Sequence, residues 1–127
     1  MAASSPTQRT LAKLHVSGYV TDIVEYWHAH AGVRKDLYGC IDVIACGDGA
    51  YGRGIIGVQA TSASNHSARV TKSLAIPALK VWLESGGRFQ VWSWGRKGKQ
   101  GEKKRWRVRI EEVRLSGDEF LIEKICS

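Results

Sequence analysis

The chain has 127 residues, of which 43% are hydrophobic and 24% charged, enough for one domain with its own core. Its 19 Lys and Arg residues against 12 Asp and Glu residues give a net charge of +7, which favours an anionic partner such as nucleic acid. No apolar run reaches the roughly 20 residues of a membrane span, and the start MAASSPTQRT lacks the apolar segment of a secretory signal. Three cysteines without a CxxC pair argue against a disulfide framework or a zinc site, so we expect a cytoplasmic protein outside the membrane.

The first predicted element is a helix that begins near the N-terminus. Ser5 is its expected N-cap, Pro6 its first residue, and Gln8 the partner of Ser5 in a capping box. Gly18 is the expected C-terminal stop. The β-branched and aromatic stretch that follows, residues 19–27 (YVTDIVEYW), predicts one strand.

Two further strands are predicted to form an antiparallel hairpin. Residues 40–46 (CIDVIAC) are apolar except for Asp42, and the Gly-rich turn GDGAYGRG leads directly into residues 55–61 (IIGVQAT). Alternation along that strand places Gln59 and Thr61 on one face.

The second half of the chain predicts helices and then strands. Ser64 or Asn65 caps a helix that runs toward Ala75, and a second helical stretch runs from Pro77 to Gly86. Strands are predicted at residues 89–94, 106–113 and 120–125. The expected fold is a single α/β domain, residues 1–127, with a mixed sheet flanked by helices in the order α-β-β-β-α-β-β.

The charged and polar positions of the hairpin indicate a cation site. Asp42 and Gln59 are expected to lie close together at one edge of the sheet, with Thr61 beside Gln59. A carboxylate and an amide oxygen are ligands that suit a hard divalent cation such as Mg²⁺.

These residues and this order of elements resemble the PD-(D/E)xK nuclease superfamily. Within it, the chain is most similar to small archaeal-type Holliday junction resolvases and to resolvase-like proteins of phages, over residues 9–94. Gly39-Cys40-Ile41-Asp42 stands where the family has Pro-Asp, and Gln59-Ala60-Thr61 stands where it has Glu-x-Lys. The resemblance implies a restriction-endonuclease-like fold, DNA as substrate, Mg²⁺ or Mn²⁺ as cofactor and a homodimer.

The resemblance also implies roles for individual residues. Asp42 and Gln59 would hold the metal, and Thr61 stands where the family has its catalytic lysine, whose charge a hydroxyl cannot supply. Lys72, or Arg69 on the same helix face, could replace that charge. A second carboxylate could come from Glu25 or Asp36, and Lys35 is a further basic residue before the Asp42 strand.

A basic segment between two predicted strands is the expected DNA-binding surface. Residues 96–109 hold eight Lys or Arg residues and one acid, Glu102. The loop is too polar and Gly-rich to pack, so we expect it to contact phosphates independently of sequence, together with Lys35 and Arg69. Its expected contacts are Lys97, Lys99, Lys103, Lys104 and Arg105, which Arg107 and Arg109 extend along one strand face. Trp92 and Trp94 share a face with Gln90 and are expected in the core.

Two histidine-containing stretches offer weaker functional interpretations. His28 and His30 lack a third metal ligand at useful spacing. Asn65 and His66 could bind an anion at a helix start, although Asn65 serves equally well as a cap.

Three functions remain open from the sequence. The first is a metal-dependent deoxyribonuclease that acts on phosphodiesters, with branched DNA as the expected substrate. The second is an inactive nuclease-fold module that binds nucleic acid or a protein partner. The third is a structural protein whose basic loop contacts an acidic partner.

Overall fold

The computed structural model describes residues 4–125, and Cys126 lies outside them. Its main element is a six-stranded sheet in the order β1-β4-β5-β6-β7-β8, and a separate two-stranded ribbon pairs β2 with β3. The strands are β1 (Val20–Ile23), β2 (Tyr26–His28), β3 (Val33–Lys35), β4 (Val43–Gly49), β5 (Gly52–Ser62), β6 (Arg88–Lys97), β7 (Arg105–Ser116) and β8 (Glu119–Ile125). The helices are α1 (Pro6–Val16), α2 (His66–Leu74) and α3 (Pro77–Glu84). The α/β class and the mixed sheet are therefore as predicted.

Helix α1 begins as the sequence predicts. Ser5 and Gln8 form the reciprocal capping box, with Pro6 in the first turn. The helix packs on one face of the sheet through Leu14 and through Thr10, whose hydroxyl accepts a hydrogen bond from the indole of Trp94 at 2.9 Å. Trp92 and Trp94 lie in this core, as expected. Among the described residues, no helix is long and apolar enough to cross a membrane.

The other face of the sheet is covered by the segment between β5 and β6. These two strands are parallel, so the chain must cross the sheet to join them, and it does so through a short 3₁₀ turn, α2 and α3. Leu79 of α3 packs on Phe89 and Val91 of β6. Asn65 occupies the N-cap position of α2 but makes no side-chain capping bond.

The prediction of one strand over residues 19–27 is wrong. β1 ends at Ile23 and pairs with β4, whereas Tyr26 begins β2, which pairs with β3. The amide of Val24 donates to the carbonyl of Asp42, and the chain then leaves the sheet. The expected element order therefore misses the β2–β3 ribbon. The two helical stretches predicted between β5 and β6, written as one α in that order, form as α2 and α3.

Strand directions bring the candidate residues to a common end of the sheet. β5 and β6 are parallel, so both end there, and β4 and β7 are antiparallel to them, so both begin there. Asp42 precedes β4, Thr61 is near the end of β5, Lys97 ends β6 and Arg105 begins β7. We call this the site end of the sheet.

Candidate metal centre and basic surface

The Asp42 side chain is held in the sheet by two hydrogen bonds to one of its oxygens. The Gln59 amide Nε2 donates to Asp42 Oδ2 at 2.6 Å, and the Ala60 backbone N–H donates to the same oxygen at 2.8 Å. The sequence predicted a strand over residues 40–46 with Asp42 inside it, but β4 begins at Val43, so Asp42 lies just before the strand. The contact between Asp42 and Gln59 is the one expected from the hairpin. It lies at the strand ends within the sheet, not at a lateral edge.

Gln59 and Thr61 point toward the helix α2 side of the sheet and are both buried, with 2% and 6% of their surfaces exposed. Among the described residues, Gln59 Oε1 is buried without a hydrogen-bond partner. A buried amide oxygen without a partner is costly. Rotation of the side-chain amide would turn this oxygen toward the Asp42 carboxylate and toward any cation held there.

Three carboxylates converge at this point. Glu25, Asp36 and Asp42 each present an oxygen, and these oxygens all lie within 4.8 Å of one another. The sequence offered Glu25 or Asp36 as the second carboxylate, and the fold brings both of them to Asp42. We call these three residues the carboxylate cluster.

The cluster is electrostatically unfavourable without a cation. Burial, which the charges of Asp36 and Glu25 reinforce, raises the pKa of Asp42 to about 8, although the hydrogen bond from Ala60 opposes the shift. Burial and Asp36 also raise the pKa of Glu25, while the charges of Arg34 and Arg69 lower it. A cation bound between these carboxylates would stabilise their charged forms, because it offsets both their burial and their mutual repulsion.

The dimensions of the cluster suit a divalent cation. Opposite oxygens around Mg²⁺ lie about 4 Å apart, and around Ca²⁺ about 5 Å apart, twice the metal–oxygen distance. The oxygens of the cluster lie no more than 4.8 Å apart, a limit compatible with a single shared ion. A cavity of about 380 Å³, lined by Glu25, Arg34 and the first turn of α1, opens beside it and gives solvent and ligands access.

The candidate cations lie at different distances from the cluster. Arg34 Nε is 3.6 Å from Glu25 Oε1, and the charge of Arg69 acts on Glu25. Lys72 is exposed, and its charge acts on Cys40, whose pKa burial raises to about 11. Within residues 4–125 Lys72 forms no ion pair with the cluster, so its catalytic role stays a prediction, and Arg69 is the better-placed cation.

A buried polar network beside Thr61 was not predicted. The His66 ring lies 2.6 Å from both Ser93 Oγ and Glu111 Oε1 and is only 1% exposed. A carboxylate only accepts, so His66 Nε2–H donates to Glu111, and in the neutral ring Nδ1 accepts from Ser93. The signal in the sequence was Ser93, a polar residue two positions after Val91 and therefore on the same, helix-covered face of β6.

The predicted basic surface forms one exposed hairpin. β6 and β7 pair from Phe89–Val113 to Lys97–Arg105, and the loop between them extends beyond the site end. All its expected DNA contacts are exposed: Lys97, Lys99, Lys103, Lys104 and Arg105. Arg107 and Arg109 continue this surface on the side where α2 packs, and Lys35 is exposed on β3. We call residues 96–105 the basic hairpin.

Comparison of the chain with protein-family models, with curated protein sequences and with solved structures gives no match.

Proposed function

We propose that the protein binds DNA and hydrolyses phosphodiester bonds with the help of a divalent cation, in the manner of PD-(D/E)xK endonucleases. The observation that carries this proposal is the carboxylate cluster, at the same end of the sheet as the basic hairpin. By register Asp42 lies level with Val91 of β6, six residues before Lys97, so the base of the hairpin is about 10 Å across the sheet and about 20 Å along it from the cluster. DNA advances about 3.4 Å per base pair, so a duplex segment of about six or seven base pairs can reach both.

Glu25, Asp36 and Asp42 would hold the cation, with Gln59 as a neutral oxygen ligand after rotation of its amide. A bound Mg²⁺ or Mn²⁺ lowers the pKa of a coordinated water and neutralises charge that develops on the phosphate. The protein contributes a fixed carboxylate, because the Ala60 backbone N–H donates to Asp42 and holds it in place. Arg69 and Arg34 face the cluster and would stabilise negative charge on the substrate.

The basic hairpin would hold the DNA by its phosphates, a contact that sets position but not sequence. Branched DNA is the substrate that the resemblance implies, with a homodimer presenting two sites. A reducing, cytoplasmic setting is part of this proposal; within residues 4–125, Cys40 and Cys46 form no disulfide.

An inactive DNA-binding module is the second candidate, and Thr61 is the observation that favours it. Thr61 stands where the nuclease family has its lysine, and its buried hydroxyl carries no charge. In this case the cluster could still bind a cation, but the water beside it would not be activated.

Cleavage of branched, flapped and linear DNA in Mn²⁺ tests the proposal. Wild type should cleave at least one of these DNAs, and Asp42→Asn should not, although it keeps the side-chain shape. Thr61→Lys should increase cleavage, because it adds a cation beside Gln59. Arg69→Ala should reduce cleavage more than Lys72→Ala if Arg69 supplies the missing charge.

If wild type and Thr61→Lys are both inert although each binds Mn²⁺ and DNA, the nuclease proposal is wrong and the binding module replaces it. If neither binds DNA, both candidates fail.

A further inference from the structure

The β2–β3 ribbon, residues 26–35, carries large aromatic and apolar side chains that pack in neither core cluster. Tyr26 is 58% exposed, Trp27 59% and Val33 45%. Adjacent aromatic residues on a short two-stranded ribbon are costly to expose to water, so they indicate a binding surface. The tip of the ribbon, where His30 lies, is exposed as well.

The register of the ribbon places a cation beside each exposed ring. Tyr26 is opposite Lys35, and Trp27 is opposite Arg34. Side chains of opposite residues in an antiparallel pair lie on the same face, about 5 Å apart at Cβ. Each face of the ribbon therefore offers one aromatic ring and one cation.

This combination suits unpaired nucleotides. A base stacks on an aromatic ring without regard to its identity, and an adjacent Lys or Arg pairs with the phosphate. On one face Tyr26 already packs against His28, with 4.6 Å between ring centroids and 36° between ring planes. On the opposite face Trp27 is open and stands beside Arg34. A duplex would not present the face of a base to these rings, because its bases are stacked on each other.

Two residues of the carboxylate cluster flank the ribbon in the sequence and lie together at its base. Glu25 immediately precedes β2, and Asp36 immediately follows β3. Two carboxylates at the base of a ribbon repel one another, whereas a cation shared by them would draw the strands together. Ion binding would therefore fix the orientation of the ribbon relative to Asp42.

We propose that the β2–β3 ribbon binds unpaired bases of DNA beside the carboxylate cluster, with Trp27 as the principal stacking residue, and that a divalent cation fixes it for this contact. This inference rests on the proposed function for its ligand. It adds that the preferred DNA has a single-stranded segment next to the bond that is cut.

Binding of fluorescein-labelled DNAs, followed by anisotropy in Ca²⁺ and in EDTA, tests the inference. The DNAs are an oligo-dT strand, a flapped duplex and a blunt duplex. Trp27→Ala should weaken binding of the first two about tenfold, the effect expected for one stacked base. It should leave the blunt duplex within twofold of wild type. Trp27→Phe should restore most of the loss, and EDTA should reduce the preference of wild type for flapped DNA.

Trp106→Ala is the matched control. Trp106 is 46% exposed but lies on β7 under the guanidinium of Arg9, with 3.6 Å between Cζ and the ring centroid. Its removal should not change the ratio of flapped to blunt binding. If Trp27→Ala weakens all three DNAs equally, or none of them, the ribbon inference is wrong while DNA binding stands. If wild type binds none of the DNAs, the proposed function fails with it.

Discussion

Replacing Asp42 by Asn tests the electrostatics of the carboxylate cluster. Burial raises the pKa of Asp42 from 3.8 to about 8. Between these values the folded chain binds more protons than the unfolded chain. The stability due to the neutral carboxyl is therefore fully present below pH 4 and is lost as the pH rises toward 8. One pKa unit corresponds to about 1.4 kcal/mol, so even half of this shift changes the free energy of unfolding by about 3 kcal/mol.

In EDTA, wild type should therefore lose about 3 kcal/mol between pH 3 and pH 8.5 relative to Asp42→Asn. The Asn oxygen can still accept from Ala60 and Gln59, and its amide can donate to Asp36. The variant should consequently be the more stable protein at pH 8.5. Urea unfolding followed by far-ultraviolet circular dichroism measures both free energies.

The exposed Asp48 provides the control, since Asp48→Asn should follow wild type at every pH. Adding Mn²⁺ at pH 8.5 should stabilise wild type but not Asp42→Asn, because only the carboxylate binds the ion strongly. Parallel pH profiles for wild type and Asp42→Asn would show that Asp42 carries no buried charge, and would refute this electrostatic description.

Two further predictions concern the basic hairpin and the buried histidine. Charge reversal of the loop lysines should weaken binding of all DNA sequences by a similar factor and should make that binding less dependent on salt. Anisotropy at several salt concentrations measures both effects. Unchanged binding would mean that Arg69 and α2, rather than the loop, contact the DNA. The residues to change are Lys97, Lys99, Lys103 and Lys104. His66→Ala should lower the free energy of unfolding by about 2–4 kcal/mol, because it leaves Ser93 and Glu111 without their hydrogen-bond partner. A decrease of less than about 1 kcal/mol in urea unfolding would contradict this prediction.

The hairpin and its polar face could be predicted because their signals are local. The Gly-rich turn fixes β4 against β5, and the two-residue alternation of strands places Gln59 and Thr61 on one face. The capping box likewise marks the start of α1 within four residues. In each case the determinants lie close together in the sequence.

The ribbon and the full carboxylate cluster depend on contacts that the local sequence does not contain. Residues 19–27 keep a strand-like composition throughout, so nothing marks the point after Ile23 where the chain leaves the sheet. β2 and β3 have three residues each, too few for a periodic signal. Only their pairing brings both Glu25 and Asp36 to Asp42, which the sequence offered as alternatives.

Calorimetric titration with MnCl₂ tests the central claim most directly. Wild type at pH 7.5 should bind one Mn²⁺ per chain at the carboxylate cluster, and both Asp42→Asn and Glu25→Gln should weaken that binding at least tenfold. Asp48→Asn should bind as wild type does. A wild-type chain that binds no Mn²⁺, or an Asp42→Asn variant that binds it equally well, would contradict the assignment of a metal centre to Glu25, Asp36 and Asp42.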